Sequence, residues 1–178
     1  MNISEYKANN TEEVTQLFTD TFSDSEGKEE GLSIGHLVRD LVTDTDEEDF
    51  LGFVASENNQ IIGSIFFTRL TFQNDINAFI LSPVAVRTSC QGKGVGQKLI
   101  NFGINQLKER GVALLVTYGD PNFYSKVGFQ PVSEEIIKAP LKLSQPEGWL
   151  CQSLVDGDIE SIPGDSCCVE ALSRPEYW

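Results

Sequence analysis

Cationic residues are scarce in this chain. Thirteen lysines and arginines stand against 27 aspartates and glutamates, and His36 is the single histidine. A formal net charge of −14 repels nucleic acid and anionic lipid surfaces, so neither is an expected partner. The four cysteines, Cys90, Cys151, Cys167 and Cys168, show no Cys-x-x-Cys spacing and share one histidine, so no metal site is expected. A Cys–His nucleophile pair is disfavoured on the same count. No apolar stretch is long enough to span a bilayer, and Met1–Lys7 lacks the basic and apolar regions of a signal peptide. Adjacent Cys167 and Cys168 read as free thiols, so a reducing cytoplasm is the expected location.

At 178 residues the simplest organisation is one domain spanning 1–178, with no linker, internal repeat or low-complexity tract. The acidity is uneven. Residues 1–50 hold fourteen of the acidic residues and three of the basic ones. Basic residues instead gather at Arg87, Lys93 and Lys98, around a run of glycines.

That run is the most informative part of the chain. An apolar strand ending at Val84-Ala85-Val86 leads through Gln91-Gly92-Lys93-Gly94-Val95-Gly96 into a helix expected over roughly 94–110. Glycines at alternate positions bare the backbone, and a helix start adds unsatisfied N–H groups and a positive dipole end. Together they make a pyrophosphate cradle. The Walker pattern fails, because no Gly-Lys-Ser/Thr occurs, and the dinucleotide pattern fails, because the glycines run G-x-G-x-G. Gln91, Gly94 and Gly96 fit Gln-x-x-Gly-x-Gly.

A second signature follows. Val112–Tyr118 reads as a buried strand, Gly119-Asp120-Pro121 breaks it, and Asp120 with Pro121 suits a helix start. Tyr124 to Phe129 then reads Tyr-x-x-x-Gly-Phe. In these two motifs and their order the sequence resembles the GNAT N-acetyltransferases, and the Gly-Asp-Pro form is similar to the bacterial YhbS-like branch. The resemblance is detailed over about residues 50–135.

The rest of the chain supplies an order. Ile3–Ala8 is a candidate edge strand. Asn10 and Glu13 read as a capping box for a helix with Val14, Leu17, Phe18 and Phe22 on one face. Gly27–Gly31 reads as a charged break, and Ile34, Leu37, Val38, Leu41 and Val42 as a second stripe. Asp44–Asp49 is an acidic loop. Phe50–Ser56 and Ile61–Phe72 flank a turn and predict a hairpin. Ile76–Val86 is a strand with Pro83 marking a bulge. Ile136-Ile137, Leu141–Leu143, Trp149–Val155 and Cys167–Leu172 read as terminal strands. The order β-α-α-β-β-β-α-β-α-β-β matches the GNAT architecture. That is an α/β (mixed α+β) fold with a twisted mixed sheet of about six or seven strands, helices on both faces and splayed central strands.

The resemblance implies acetyl transfer from acetyl-coenzyme A, a co-substrate, to an amine, with no metal. It implies that Val84, Ala85 and Val86 meet the pantetheine arm and polarise the thioester carbonyl. Gln91, Gly92, Lys93, Gly94, Val95 and Gly96 would hold the pyrophosphate, and Tyr124 would donate to the sulfur as general acid. The residues leave alternatives open. Tyr124 also reads as a core aromatic on Phe129, Phe123 as packing, Lys93 as a solvated cation and Arg87 as turned to the other face. Glu5, His36 and Asp75 are conceivable bases without a feature to choose among them. Acid around Glu26, Glu29 and Glu30 favours a cationic acceptor amine. A homodimer is conceivable by analogy with the fold. The competing reading is a GNAT-like module that binds coenzyme A as a sensor.

Overall fold

The computed structural model describes residues Met1–Trp178, and its elements follow the expected order. They are β1 (Asn2–Glu5), α1 (Thr11–Glu26), α2 (Lys28–Asp44), β2 (Phe50–Glu57), β3 (Gln60–Leu70), β4 (Ala78–Val86), α3 (Val95–Glu109), β5 (Leu114–Tyr118), α4 (Pro121–Tyr124), β6 (Gln130–Pro131) and β7 (Trp149–Ser153). One mixed seven-stranded sheet has the order β1-β2-β3-β4-β5-β7-β6, with β4 and β5 parallel. No helix is long and apolar enough to cross a membrane. The chain divides into two compact units, Met1–Phe67 with Pro83–Gly103, and Thr68–Ser82 with Ile104–Trp178.

In the first unit, α1 and α2 form a helical hairpin. Gly27 alone joins them, at φ +101°, so the expected break over 27–31 shrinks to one residue and Lys28 already begins α2. The helices approach closely because Gly31 and Gly35 face Thr15, Thr19 and Ser23. A β-carbon on Gly31 would collide with Ser23 Oγ and the Thr19 carbonyl. Gly31→Val is therefore expected to cost about 2–3 kcal/mol by overpacking. In thermal unfolding that is a midpoint lowered by roughly 5–10 °C. The expected capping box on α1 does not form. Asn10 Oδ1 accepts from Lys7 N–H at 3.1 Å, and Glu13 Oε1 accepts from Ile61 N–H at 2.8 Å. Both side chains serve tertiary or preceding-turn contacts instead.

Strand β3 separates two layers of helix. Phe66 meets Phe18 of α1 at 5.7 Å between ring centroids, and Tyr6 at 5.5 Å. Gly63, Ile65 and Phe67 point the other way, toward Val95, Leu99 and Gly103 of α3. Successive side chains on a strand face opposite sides, so helices cover both faces here. Asn58 and Asn59, at φ 51° and 61°, turn β2 into β3 as a two-residue hairpin. The edge strand β1 is shorter than expected, because a 3-10 turn takes over at Ala8–Asn10.

In the second unit, β4 runs parallel to β5 from Ala78↔Leu114 to Leu81↔Thr117 and then continues to Val86. Thr117 Oγ1 donates to the Leu81 carbonyl at 2.8 Å where that ladder ends, just ahead of Pro83. Strand β7 pairs antiparallel with both β5 and β6. The other terminal strands do not form. Residues 136–143 are irregular, yet Ile137, Ala139 and Leu143 are buried. The Trp149 indole N–H donates to the Ile137 carbonyl at 2.8 Å, so a side chain satisfies that backbone in place of a ladder. Cys167 keeps a single bridge to Thr71, and Glu170–Leu172 is a 3-10 turn.

Candidate active site

The glycine run of the first unit forms a concave turn. Gly92 and Gly94 sit at φ +72° and +80°, and nothing lies within 4 Å of where a β-carbon would stand on either. Left-handed glycines on either side of Lys93, which is not left-handed, let successive N–H groups turn to one side, the geometry of an anion nest. The first helical bond of α3 runs from Lys98 N–H to the Gly94 carbonyl at 3.1 Å. The N–H groups of Val95, Gly96 and Gln97 therefore precede the helix's own acceptors and face outward. No acidic residue occupies that first turn to use them. Gly96 differs from its neighbours: it is buried within the helix and is not among the positive-φ glycines.

Side chains brace the turn. Gln91 Nε2 donates to the Val86 carbonyl at 3.0 Å, tying the loop to the end of β4. Lys93 Nζ donates to the Ser89 carbonyl at 3.0 Å and stays exposed. Thr88 Oγ1 donates to Asp24 Oδ2 of α1 at 2.6 Å. Arg87 donates to the Ile61 carbonyl at 3.0 Å, which turns its guanidinium to β3. Ala85 is buried, while Val84 and Val86 are half-buried. The start of α3 lies close on β3 because position 63 is glycine, where a β-carbon would stand 2.9 Å from Leu99 Cδ1 and 3.3 Å from the Ala85 carbonyl. The bracing by Gln91 and the close fit at Gly63 were not anticipated. A glycine inside an apolar strand was the available signal for the second.

In the second unit, Asp120 caps α4 by accepting from Asn122 N–H at 2.9 Å, with Pro121 in the first turn, as expected. Tyr124 packs edge-on against Phe123 at 5.0 Å and Phe129 at 5.6 Å, and its ring leans on Gly119. Burial pushes its phenol up to about 12; the Thr117 hydroxyl opposes this and the Asp120 carboxylate adds to it. At neutral pH it is a proton-bearing donor and not a base. Gly128, at φ +95°, turns the chain so that Phe129 returns under the ring.

The three candidate bases occupy unrelated surface positions. Glu5 lies on edge strand β1, His36 on the outside of α2 and Asp75 in the loop before β4, all exposed. Glu29 and Glu30 stand in the first turn of α2, where acidic groups favour the helix dipole. Burial, then Glu30, raises the pKa of Glu26. No cluster of three or more His, Cys, Asp or Glu side chains is arranged to hold a metal ion.

Comparison with known proteins converges on one family. A family profile described as acetyltransferase (GNAT) domain matches residues 48–131. The chain is 32% identical over 124 residues to YjhQ of Escherichia coli K12, an uncharacterised N-acetyltransferase, covering 66% of this chain and 68% of that one. It is 37% identical over 94 residues to YhbS of the same strain, another uncharacterised N-acetyltransferase, spanning 51% of this chain and 56% of that one. Among solved structures, YhbS of Escherichia coli in complex with coenzyme A superposes with a TM-score of 0.84 at 25% identity, over 98% of this chain and 92% of that chain. A GNAT-family acetyltransferase of Brucella melitensis in complex with acetyl-coenzyme A gives 0.76 at 23% identity, over 96% and 97%, a likeness of fold.

Proposed function

Since the chain belongs to the GNAT acetyltransferase family, we propose that it is an acetyl-coenzyme A-dependent N-acetyltransferase acting on a primary amine of a small molecule, peptide or protein. The reading takes 1–178 as one GNAT domain and the reaction as direct transfer in a ternary complex. One observation carries it: two left-handed glycines run into a helix start that holds no acid, so bare N–H groups await an anion. That donor set fits a pyrophosphate, and the open space beside Gly92 and Gly94 is the room a closely approaching phosphate requires. The coenzyme A and acetyl-coenzyme A held by YhbS and by the Brucella protein support the same ligand class here.

Acetyl-coenzyme A supplies an activated acetyl group as its thioester. In this reading the main chain of Gln91–Gly96 binds the pyrophosphate, with Gln91 holding the loop to β4 and Lys93 adding charge at its rim. The main chain of Val84, Ala85 and Val86 meets the pantetheine arm and polarises the carbonyl. Tyr124 donates a hydrogen bond to the sulfur. The amine lone pair forms the new C–N bond, the C–S bond breaks with its electron pair on sulfur, and the nitrogen gives up a proton. An alkyl ammonium titrates near ~10.4 in water, so a first proton leaves before attack; the proton given up as the C–N bond forms is a second one, and it ends on the departing thiolate. Orientation of the two reactants supplies most of the remaining rate. The four free cysteines suit a reducing cytoplasm.

Coenzyme A release, followed with a thiol reagent over polyamines, amino acids, aminoglycosides and lysine peptides, tests the reading. Turnover with one amine class is expected. Acetyl-coenzyme A binding with no turnover on any amine would shift the reading to a coenzyme A sensor, and absence of binding would end both.

A further inference from the structure

Strand β5 carries one alcohol in an apolar run. Thr117 follows Leu114-Leu115-Val116 and is fully buried, opposite Leu81 of β4 on one side and Leu150 of β7 on the other. Valine has the same shape and would suit that place without any polar requirement. A buried hydroxyl must be hydrogen-bonded. Its single proton goes to the Leu81 carbonyl at 2.8 Å. Its lone pairs remain to accept a proton from another group.

Tyr124 supplies that group. Pairing with β7 carries on past Tyr118, since Gly119 N–H donates to the Gly148 carbonyl at 2.9 Å. Alternate residues of an extended segment share a face, so Thr117 and Gly119 point to one side and Tyr118 to the other. The Tyr124 ring lies across Gly119, where a β-carbon would stand 2.6 Å from Cε2 and 3.6 Å from Cζ. The oxygen-bearing edge of the ring is thus on the Thr117 face, and the Thr117 hydroxyl is its hydrogen-bond partner. With the Thr117 proton given to Leu81, the phenol is the donor in that bond at rest. Leu81, Thr117, Gly119 and Tyr124 all belong to the second unit.

We infer that Thr117 is a positioning residue for Tyr124: its hydroxyl, anchored on the Leu81 carbonyl, holds the phenol oxygen at rest and donates to it when the phenol turns its own proton toward the coenzyme A sulfur. The inference rests on the acetyltransferase reading, which supplies the sulfur. No proton changes atoms in this exchange. Thr117 turns its O–H from Leu81 to Tyr124, and Tyr124 turns its O–H from Thr117 to the sulfur. A phenol that accepts one hydrogen bond donates a stronger one, because successive bonds in a chain polarise each other. The same bond favours a charged phenol oxygen, which is why the Thr117 hydroxyl opposes the upward pull of burial.

Two ligands read the sulfur contact without turnover. One is coenzyme A at about pH 9, where a thiol titrating near ~8.5 is mostly thiolate, and the other is desulfo-coenzyme A, which has no sulfur. In calorimetry the native protein is expected to prefer coenzyme A at least about tenfold. Thr117→Val, which keeps the shape, is expected to cut that preference about three- to tenfold, and Thr117→Ser, which keeps the hydroxyl, to preserve it. In a Tyr124→Phe background Thr117→Val is expected to change nothing further. The NMR resonance of the Tyr124 ζ-carbon, identified by its loss in Tyr124→Phe, is expected to move in Thr117→Val and to return in Thr117→Ser. Thr117→Ala takes the place of valine should that variant not fold. A native preference in Thr117→Val, an equal loss for both ligands, an undiminished effect in the Tyr124→Phe background or a resonance indifferent to Thr117 would overturn the inference. Equal binding of both ligands by the native protein, with a resonance that still follows Thr117, strikes the role of Tyr124 at the sulfur and leaves the Thr117–Tyr124 bond standing.

Discussion

Gly94→Ala is expected to weaken acetyl-coenzyme A binding about 100-fold while costing the fold no more than the same substitution at Gly111. The two effects separate because of what surrounds position 94. At φ +80° an L-residue is strained, a cost of about 1–2 kcal/mol. Nothing lies within 4 Å of the added methyl, so the protein itself is not crowded. Relief of the strain by a backbone shift would turn the N–H groups out of the nest. Loss of two charge-assisted hydrogen bonds, at about 1.5–3 kcal/mol each, exceeds the ~2.7 kcal/mol that a 100-fold change requires. Gly111→Ala is the control. It has φ +74° and equally empty surroundings, but lies beyond the end of α3. Both variants should lose a few degrees of thermal midpoint, and only Gly94→Ala should lose calorimetric affinity. If Gly94→Ala binds like the native protein, the nest does not hold the pyrophosphate.

The nest was legible because it is written in local chemistry. Left-handed turns call for glycine, and a helix start without acid is visible in Val95-Gly96-Gln97-Lys98. The same holds for Asp120 and Pro121, whose roles at the start of α4 need no tertiary information. Legibility failed where a residue's partner is distant in sequence. Asn10 and Glu13 have the capping-box spacing, yet Glu13 serves the N–H of Ile61, 48 residues away. Ile137 is apolar because it is buried, and its carbonyl is taken by an indole rather than a strand. Hydrophobic runs report burial, and only a partner strand makes them β. Gly31 fell in the expected break because glycine weakens an isolated helix, whereas here it and Gly35 permit two helices to touch. The bonds of Thr117 were invisible for the same reason, since Leu81 and Tyr124 come from segments that only the fold brings to it.

Tyr124→Phe is expected to lower kcat about 10- to 100-fold without weakening acetyl-coenzyme A binding. The size follows from the phenol's environment. Burial holds it near 12, whereas an ordinary thiol titrates near ~8.5. Full transfer of the proton to a departing thiolate is thus uphill by about 3.5 pH units, or about 5 kcal/mol. A hydrogen bond to the charged sulfur carries no such cost and is worth about 1.5–3 kcal/mol, which is the 10- to 100-fold range. The pH profile should agree. With its pKa raised, the phenol keeps its proton through the working range, so no alkaline fall in kcat below about pH 11 belongs to Tyr124. The rising limb belongs to the amine. The same shift acts on stability: between pH 10 and 12 the unfolded tyrosine loses its proton while the folded one retains it, so stability falls with pH there. Phenylalanine removes that fall, and alkaline unfolding of Tyr124→Phe should move to higher pH. The ring contacts with Phe123, Phe129 and Gly119 survive the substitution. A variant that folds, binds and turns over like the native protein would leave Tyr124 a packing residue. A loss beyond about 10,000-fold would instead mean that the phenol surrenders its proton in the transition state.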